Sequence, residues 1–475
     1  MSATATARPA PQSPAAAGSP AAAGFPAAGR PSAGSPGARL ARPLSVPRGA
    51  ALYIGALLGP GVLLLPGLAA AQAGPASVLA WLALIATSAL LAGVFTALGR
   101  AVPAAGGVIG YTAAGLGRRA GAAAGWCFLA GVVCGAPIVC LIGASYVADL
   151  TGGGQLMRAA VAGGLLLVVL GLALGGVRAT TTAQLVLVAL LIAVVVAAVA
   201  GSAPSARAAN WAPFAPHGWL SIGHAAATLM LSFVGWEAVA PLTSRFARPA
   251  RQLPQVIGIA FAVTTALYLG LAVATIAALG RGAGTSVPLA ALLQLAIGPA
   301  GRAVAAAAAL VLTLGATNAY LSGASEMIRQ LTAGRRARRA APRAGSAQPD
   351  SLQSGSVPSG SVQSGAQSGS ARPFLLVIAA TGLALIGLYA LGLVSVTALV
   401  TLPTTMFLVV YLTCTASATR VLTGPARLAA VPAMLAVAAV LAFCGWALAA
   451  AAVVATLAAV AAPAASARRR RGQAA

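Results

Sequence analysis

Apolar runs recur along the chain from Leu52 to Ala465, separated by short segments that carry arginine, glycine or proline. The runs are about 20 residues long, the length that crosses a bilayer as an α-helix. A transmembrane β-barrel would show shorter segments of alternating polarity. The pattern predicts helices at roughly 50–72, 76–99, 120–148, 157–177, 181–201, 219–243, 255–279, 301–327, 373–393, 395–417, 429–446 and 448–465. Only Gly445 and Trp446 mark a turn between the last two. Parity supports them, because Arg427 and Arg468–Arg471 are both inside signals and an even number of spans must separate them. The expected fold is an all-α polytopic membrane protein of about twelve transmembrane helices.

Two runs contain helix breakers where a helix is most needed. The first span reads GALLGPGVLLLP, with Gly59-Pro60-Gly61 in its middle and Pro66 behind. Glycine is costly inside a helix, and proline removes a backbone donor and clashes with the preceding turn. The sixth reads LMLSFVGWEAVAPL, with Gly235 mid-span and Pro241 six residues later. Five spans lie before the sixth, so a second set of five would be inverted relative to the first. Paired Gly/Pro interruptions in corresponding spans point to a transport site near the midplane, in a five-plus-five inverted repeat followed by two extra helices.

Composition sharpens this picture. Apolar residues make up 59% of the 475-residue chain and charged residues 7%, against roughly a quarter charged in soluble domains. The net charge of +25 comes from 29 arginines with no lysine. With the N-terminus in the cytoplasm, twenty-five of the 29 arginines fall on inner segments and only Arg158, Arg207, Arg281 and Arg302 outside. That asymmetry is a topology signal rather than a nucleic-acid stripe, and it places both termini in the cytoplasm. The expected location is a bacterial plasma membrane, since an arginine-only basic set with abundant Ala and Gly fits a GC-rich genome.

Residues 1–48 are rich in Ala, Pro, Gly and Ser without an apolar h-region, and read as a disordered cytoplasmic tail rather than a secretory signal. Residues 49–333 hold helices 1–8. Residues 334–372, with SGSVPSGSVQSGAQSGSA, read as a flexible cytoplasmic linker. Residues 373–467 hold helices 9–12, and 468–475 form a basic tail. Cys127, Cys134, Cys140, Cys414 and Cys444 sit in apolar runs without a CxxC pair and read as small buried hydrophobes. No metal or cofactor is expected.

Of the four acids, Asp149 and Glu326 lie at span ends, Asp350 in the linker, and Glu237 alone well inside a span. A carboxylate there costs about 2.5 kcal/mol or more and usually marks function. Two histidines and four acids offer no hydrolytic or metal constellation. Without lysine there is no P-loop for an ATP-driven pump.

Four motifs, in order, resemble the amino acid–polyamine–organocation permeases. They are Gly55-x-x-x-Gly59-Pro60-Gly61-x-x-x-x-Pro66, then RAVPAAGGVIGYTAAGLG from Arg100, then SFVGWEAVAPLTSRFARPARQLPQVI, and finally TNAYLSGASEMIRQLTAGR. One tyrosine of the family's inner-loop pattern is missing near Ile109. Gly-Pro-Gly in place of Gly-Ser-Gly is more similar to the branch that exports neutral amino acids. A lysine that replaces a coupling sodium in some relatives has no counterpart in the fifth span.

The resemblance implies a secondary amino-acid transporter working by alternating access. A helix break exposes unpaired N–H groups on one half and carbonyls on the other, so two breaks side by side suit a zwitterion. The candidate substrate residues are Gly59, Pro60, Gly61, Phe233, Gly235 and Trp236. Phe233 and Trp236 are equally read as packing against neighbouring helices. Glu237 is the candidate proton carrier, or else a structural group. Asn318 and Ser322, four apart on one helix face, line the site or link helices.

Few acids argue against a polyamine, so the expected partners are a neutral or apolar amino acid, a proton and the lipid bilayer. Proton-coupled efflux is the leading expectation. An importer, an exchanger or a transport-inactive sensor subunit of the same fold are the alternatives, and the oligomeric state is left open.

Overall fold

The computed structural model describes residues 45–102, 107–175, 181–236, 246, 248–340 and 368–461. Among these the only regular elements are helices. The first span is split into α1 (Val46–Leu57), one 3-10 turn (Pro60–Leu63) and α2 (Leu65–Ala73). Then follow α3 (Ser77–Ala101), a short α4 (Val108–Leu116), α5 (Arg118–Thr151), α6 (Gln155–Leu174) and α7 (Thr181–Ser202). The sixth span opens with α8 (Ser221–Leu229) and a 3-10 turn (Met230–Phe233). The remainder comprises α9 (Pro249–Leu279), α10 (Pro288–Ile297), α11 (Ala300–Ala340), α12 (Ser368–Ala390), α13 (Val396–Val421), α14 (Gly424–Ala442) and α15 (Ala447–Ala461).

Nine helical stretches among the described residues are long and apolar enough to cross a membrane. One of them, Leu65–Ala101, joins the second half of the first span to the second span. The protein is therefore an all-helical, multi-pass membrane protein. The sixth span is described only as far as Trp236, and α15, with 15 residues, is shorter than the other C-terminal spans. The turn before α15 falls where the sequence places it, with Gly445 at φ +54. Two short helices, α4 and α10, lie in segments that the hydropathy pattern leaves as connections. Helix α11 runs to Ala340, past the expected start of the linker at 334, and α12 begins at Ser368, before its expected end.

The centre of the bundle is α5, which packs on α11, α13 and α6. Hydrophobic burial does not drive helices together in lipid, so close packing at small residues and polar links must do it. A Cβ on Gly143 of α5 would meet Thr313 Oγ1 of α11 at 2.6 Å, and that hydroxyl donates to the Val139 carbonyl at 3.4 Å. At one end of the same pair, Arg302 makes a bidentate ion pair with Asp149, at 2.9 and 3.0 Å. Helix α4 is fastened to α13 by Ser417. Its hydroxyl donates to the Tyr111 carbonyl at 2.5 Å and accepts from the Gly115 N–H at 2.9 Å.

Candidate functional site

The first break follows from Pro60 and its neighbours. Helix α1 stops at Leu57, Leu58 leaves helical geometry at ψ +67, and Gly59 is extended at ψ 170. Pro60 opens the 3-10 turn, where its missing N–H costs nothing. Pro66 sits in the first turn of α2 for the same reason. Gly61 lies in a tight place: a Cβ there would stand 3.0 Å from Leu65 Cδ1 and 3.2 Å from Ser232 Oγ.

The second break begins at Val234, which is extended at ψ 134. Gly235 follows at φ +140, a conformation that only glycine adopts cheaply. Its N–H donates to the Tyr411 hydroxyl of α13 at 2.8 Å. A Cβ on Gly235 would lie 2.7 Å from the Ala56 carbonyl oxygen. The second break therefore meets the last turn of α1, backbone against backbone, at the edge of the first break. Glu237 and Pro241 lie outside the described residues.

Broken helices inside a bilayer need other partners for their carbonyls, and here tyrosines supply them. The Tyr268 hydroxyl of α9 lies 2.7 Å from the Leu57 carbonyl and 2.7 Å from the Ser232 carbonyl, one from each break. It has a single hydrogen, so it satisfies one of them at a time. Tyr146 of α5 donates to the Leu63 carbonyl at 2.6 Å. The halves α2 and α8 are joined side chain to side chain, with Gln72 donating to Thr228 Oγ1 at 2.9 Å.

Both candidate aromatics are buried. Phe233 stands edge-on to Tyr268 with centroids 5.3 Å apart, and lies 5.8 Å from Trp81 of α3. Trp236 donates its indole N–H to Ser88 Oγ at 2.8 Å and lies 6.2 Å from Tyr53. These contacts hold both rings firmly beside the crossing. Helix α11 reaches the first break through Tyr320, whose hydroxyl is 3.9 Å from where a Gly59 Cβ would stand. Asn318, two residues earlier, is buried. The side chains of Pro60 and Ser322 are outside the described set. Among the described residues no three His, Cys, Asp or Glu side chains gather as a metal site.

The structure thus brings Gly59, Gly61, Phe233, Gly235 and Trp236 to one place. It adds Tyr268, Tyr146, Tyr411, Ser88 and Ser232, which carry no mark in the sequence. A tyrosine or serine in an apolar run looks the same whether it packs against a helix or caps a broken one.

The amino acid permease family matches residues 44–334 of the chain. An uncharacterized amino acid permease of Bacillus subtilis (strain 168), YecA, is 30% identical over 413 residues, 86% of this chain and 92% of that one. The L-methionine/branched-chain amino acid exporter YjeH of Escherichia coli (strain K12) is 31% identical over 240 residues, 49% of this chain and 56% of its own. The methylthioribose transporter of Bacillus subtilis (strain 168) is 28% identical over 249 residues, 49% of this chain and 54% of its own. A multi-pass helical bundle with two broken helices crossing at its core, matched over most of its length to a permease, belongs to the amino acid permease family, a family of transporters.

Proposed function

We propose that this permease is a secondary transporter that exports neutral, apolar amino acids across the bacterial plasma membrane in exchange for protons, by alternating access. The observation that carries the reading is the contact of the second break with the end of α1 beside the first break, where Gly235 lies against the Ala56 carbonyl. Opposed helix ends at such a crossing offer a partly positive pole to a carboxylate and a partly negative pole to an ammonium. Gly59, Pro60, Gly61 and Gly235 are assigned to the backbone site, Phe233 and Trp236 to its apolar wall, and Asn318 and Ser322 to its lining. Glu237 is assigned to the coupling proton. The export branch is supported by the relative named as a methionine and branched-chain exporter. The paucity of acids disfavours dications. In this reading both termini are cytoplasmic, which the arginine distribution supports.

Counterflow in proteoliposomes tests it. Vesicles loaded with unlabelled methionine or leucine should accumulate the labelled amino acid, and an imposed proton gradient should drive net flux. No counterflow across a panel of neutral amino acids would remove the substrate class. Counterflow indifferent to the gradient would remove the proton.

A further inference from the structure

The acceptors and the donors around the crossing are not treated alike. The carbonyls of Leu57, Leu63 and Ser232 each have a tyrosine hydroxyl within 2.7 Å. Among the described residues, two side-chain donors in the same place have no partner: Ser232 Oγ and Trp81 Nε1. Ser232 is 2% exposed and Trp81 is fully buried. A buried hydroxyl or indole N–H without a partner is costly, and the cost is highest where no water can reach. Their positions are not incidental. Ser232 Oγ would be 3.2 Å from a Cβ on Gly61, so it faces the first break from the second. The Trp81 ring lies 5.2 Å from that of Tyr268, whose hydroxyl holds the Ser232 carbonyl.

What the described residues of the crossing leave unmet is therefore an acceptor for these two donors. An indole N–H can only donate, and a serine hydroxyl has its donor to spare. We infer that the Ser232 hydroxyl donates a hydrogen bond to the carboxylate of the transported amino acid. This rests on the amino-acid reading above and adds a side chain to a site otherwise built from backbone. A hydrogen bond to a charged acceptor is stronger than a neutral one, so the Ser232 hydroxyl becomes a discriminating contact when the substrate binds. Ser232 is a specificity residue here, because it separates substrates that carry a carboxylate from amines that do not.

The test is Ser232→Ala in proteoliposomes. Counterflow of labelled L-leucine is titrated with unlabelled L-leucine and with isoamylamine, which lacks the carboxylate, and thermal unfolding of the substrate-free protein is followed in detergent. The half-saturating leucine concentration should rise about tenfold. Inhibition by isoamylamine should not change, and the unfolding temperature should hold or rise, since an unpaired buried hydroxyl has been removed. An unchanged leucine titration, an equal shift for both ligands, or a lower unfolding temperature overturns the assignment. If the wild-type protein itself shows no amino-acid counterflow, the transport reading falls and takes this assignment with it. Wild-type counterflow with an unaltered variant sinks the assignment alone.

Discussion

Gly235 lies so close to Ala56 that a Cβ on the glycine would stand 2.7 Å from the alanine carbonyl oxygen. The sixth span touches the first at the last turn of α1, just ahead of the first break, and Gly235 makes that contact at φ +140. Conformation and space both demand glycine here.

Gly235→Ala should therefore separate the breaks. The strained backbone costs about 1–3 kcal/mol, and the overlap with Ala56 adds to it. Counterflow should fall to background while the protein still reaches the membrane. Wild-type flux in a well-expressed variant would detach this contact from transport.

Tyr268→Phe keeps the ring against Trp81 and Phe233 but removes the hydroxyl between the Leu57 and Ser232 carbonyls. Leaving a buried carbonyl without its donor costs about 1–3 kcal/mol. A lower unfolding temperature and slower counterflow are expected together. Unchanged values for both would show that another donor takes over.

Glu237→Gln should flatten the dependence of flux on pH, because an amide cannot carry the coupling proton. Transport is measured at a series of external pH values with the internal pH fixed. A profile identical to that of the wild type leaves Glu237 as a structural group.

Ser417→Ala unfastens α4 from α13, since one hydroxyl both donates to the Tyr111 carbonyl and accepts from the Gly115 N–H. The loss should be about 1–3 kcal/mol, confined to α4. Hydrogen exchange at Tyr111 to Gly115 should quicken, while amides in the middle of α5 keep their protection.

The spans were legible because hydropathy is summed over many residues, and the first break because Gly59-Pro60-Gly61 has no helical reading. Helices α4 and α10 escaped because each is too short to cross a membrane and neither carries a strong cap. Their stability comes from docking, of α10 on α7 and α11 and of α4 on Ser417, which lies 306 residues from Tyr111, and such docking leaves no local trace. Trp236 was visible as an aromatic beside the break. Its tether to Ser88 was not, because nothing in the second span distinguishes that serine from its neighbours. The same holds for Tyr268, which reads as one more aromatic in an apolar helix until the fold sets it between two carbonyls.

Those tyrosines have a consequence for binding. Phenol groups on α5, α9 and α13 do for the broken backbone what water does at the surface of a soluble protein. They are a solvent that cannot diffuse away. The peptide groups at the crossing are therefore wetted in a dry place and fixed before any ligand arrives. An incoming molecule meets oriented dipoles, and little ordering of the backbone remains to be done when it binds.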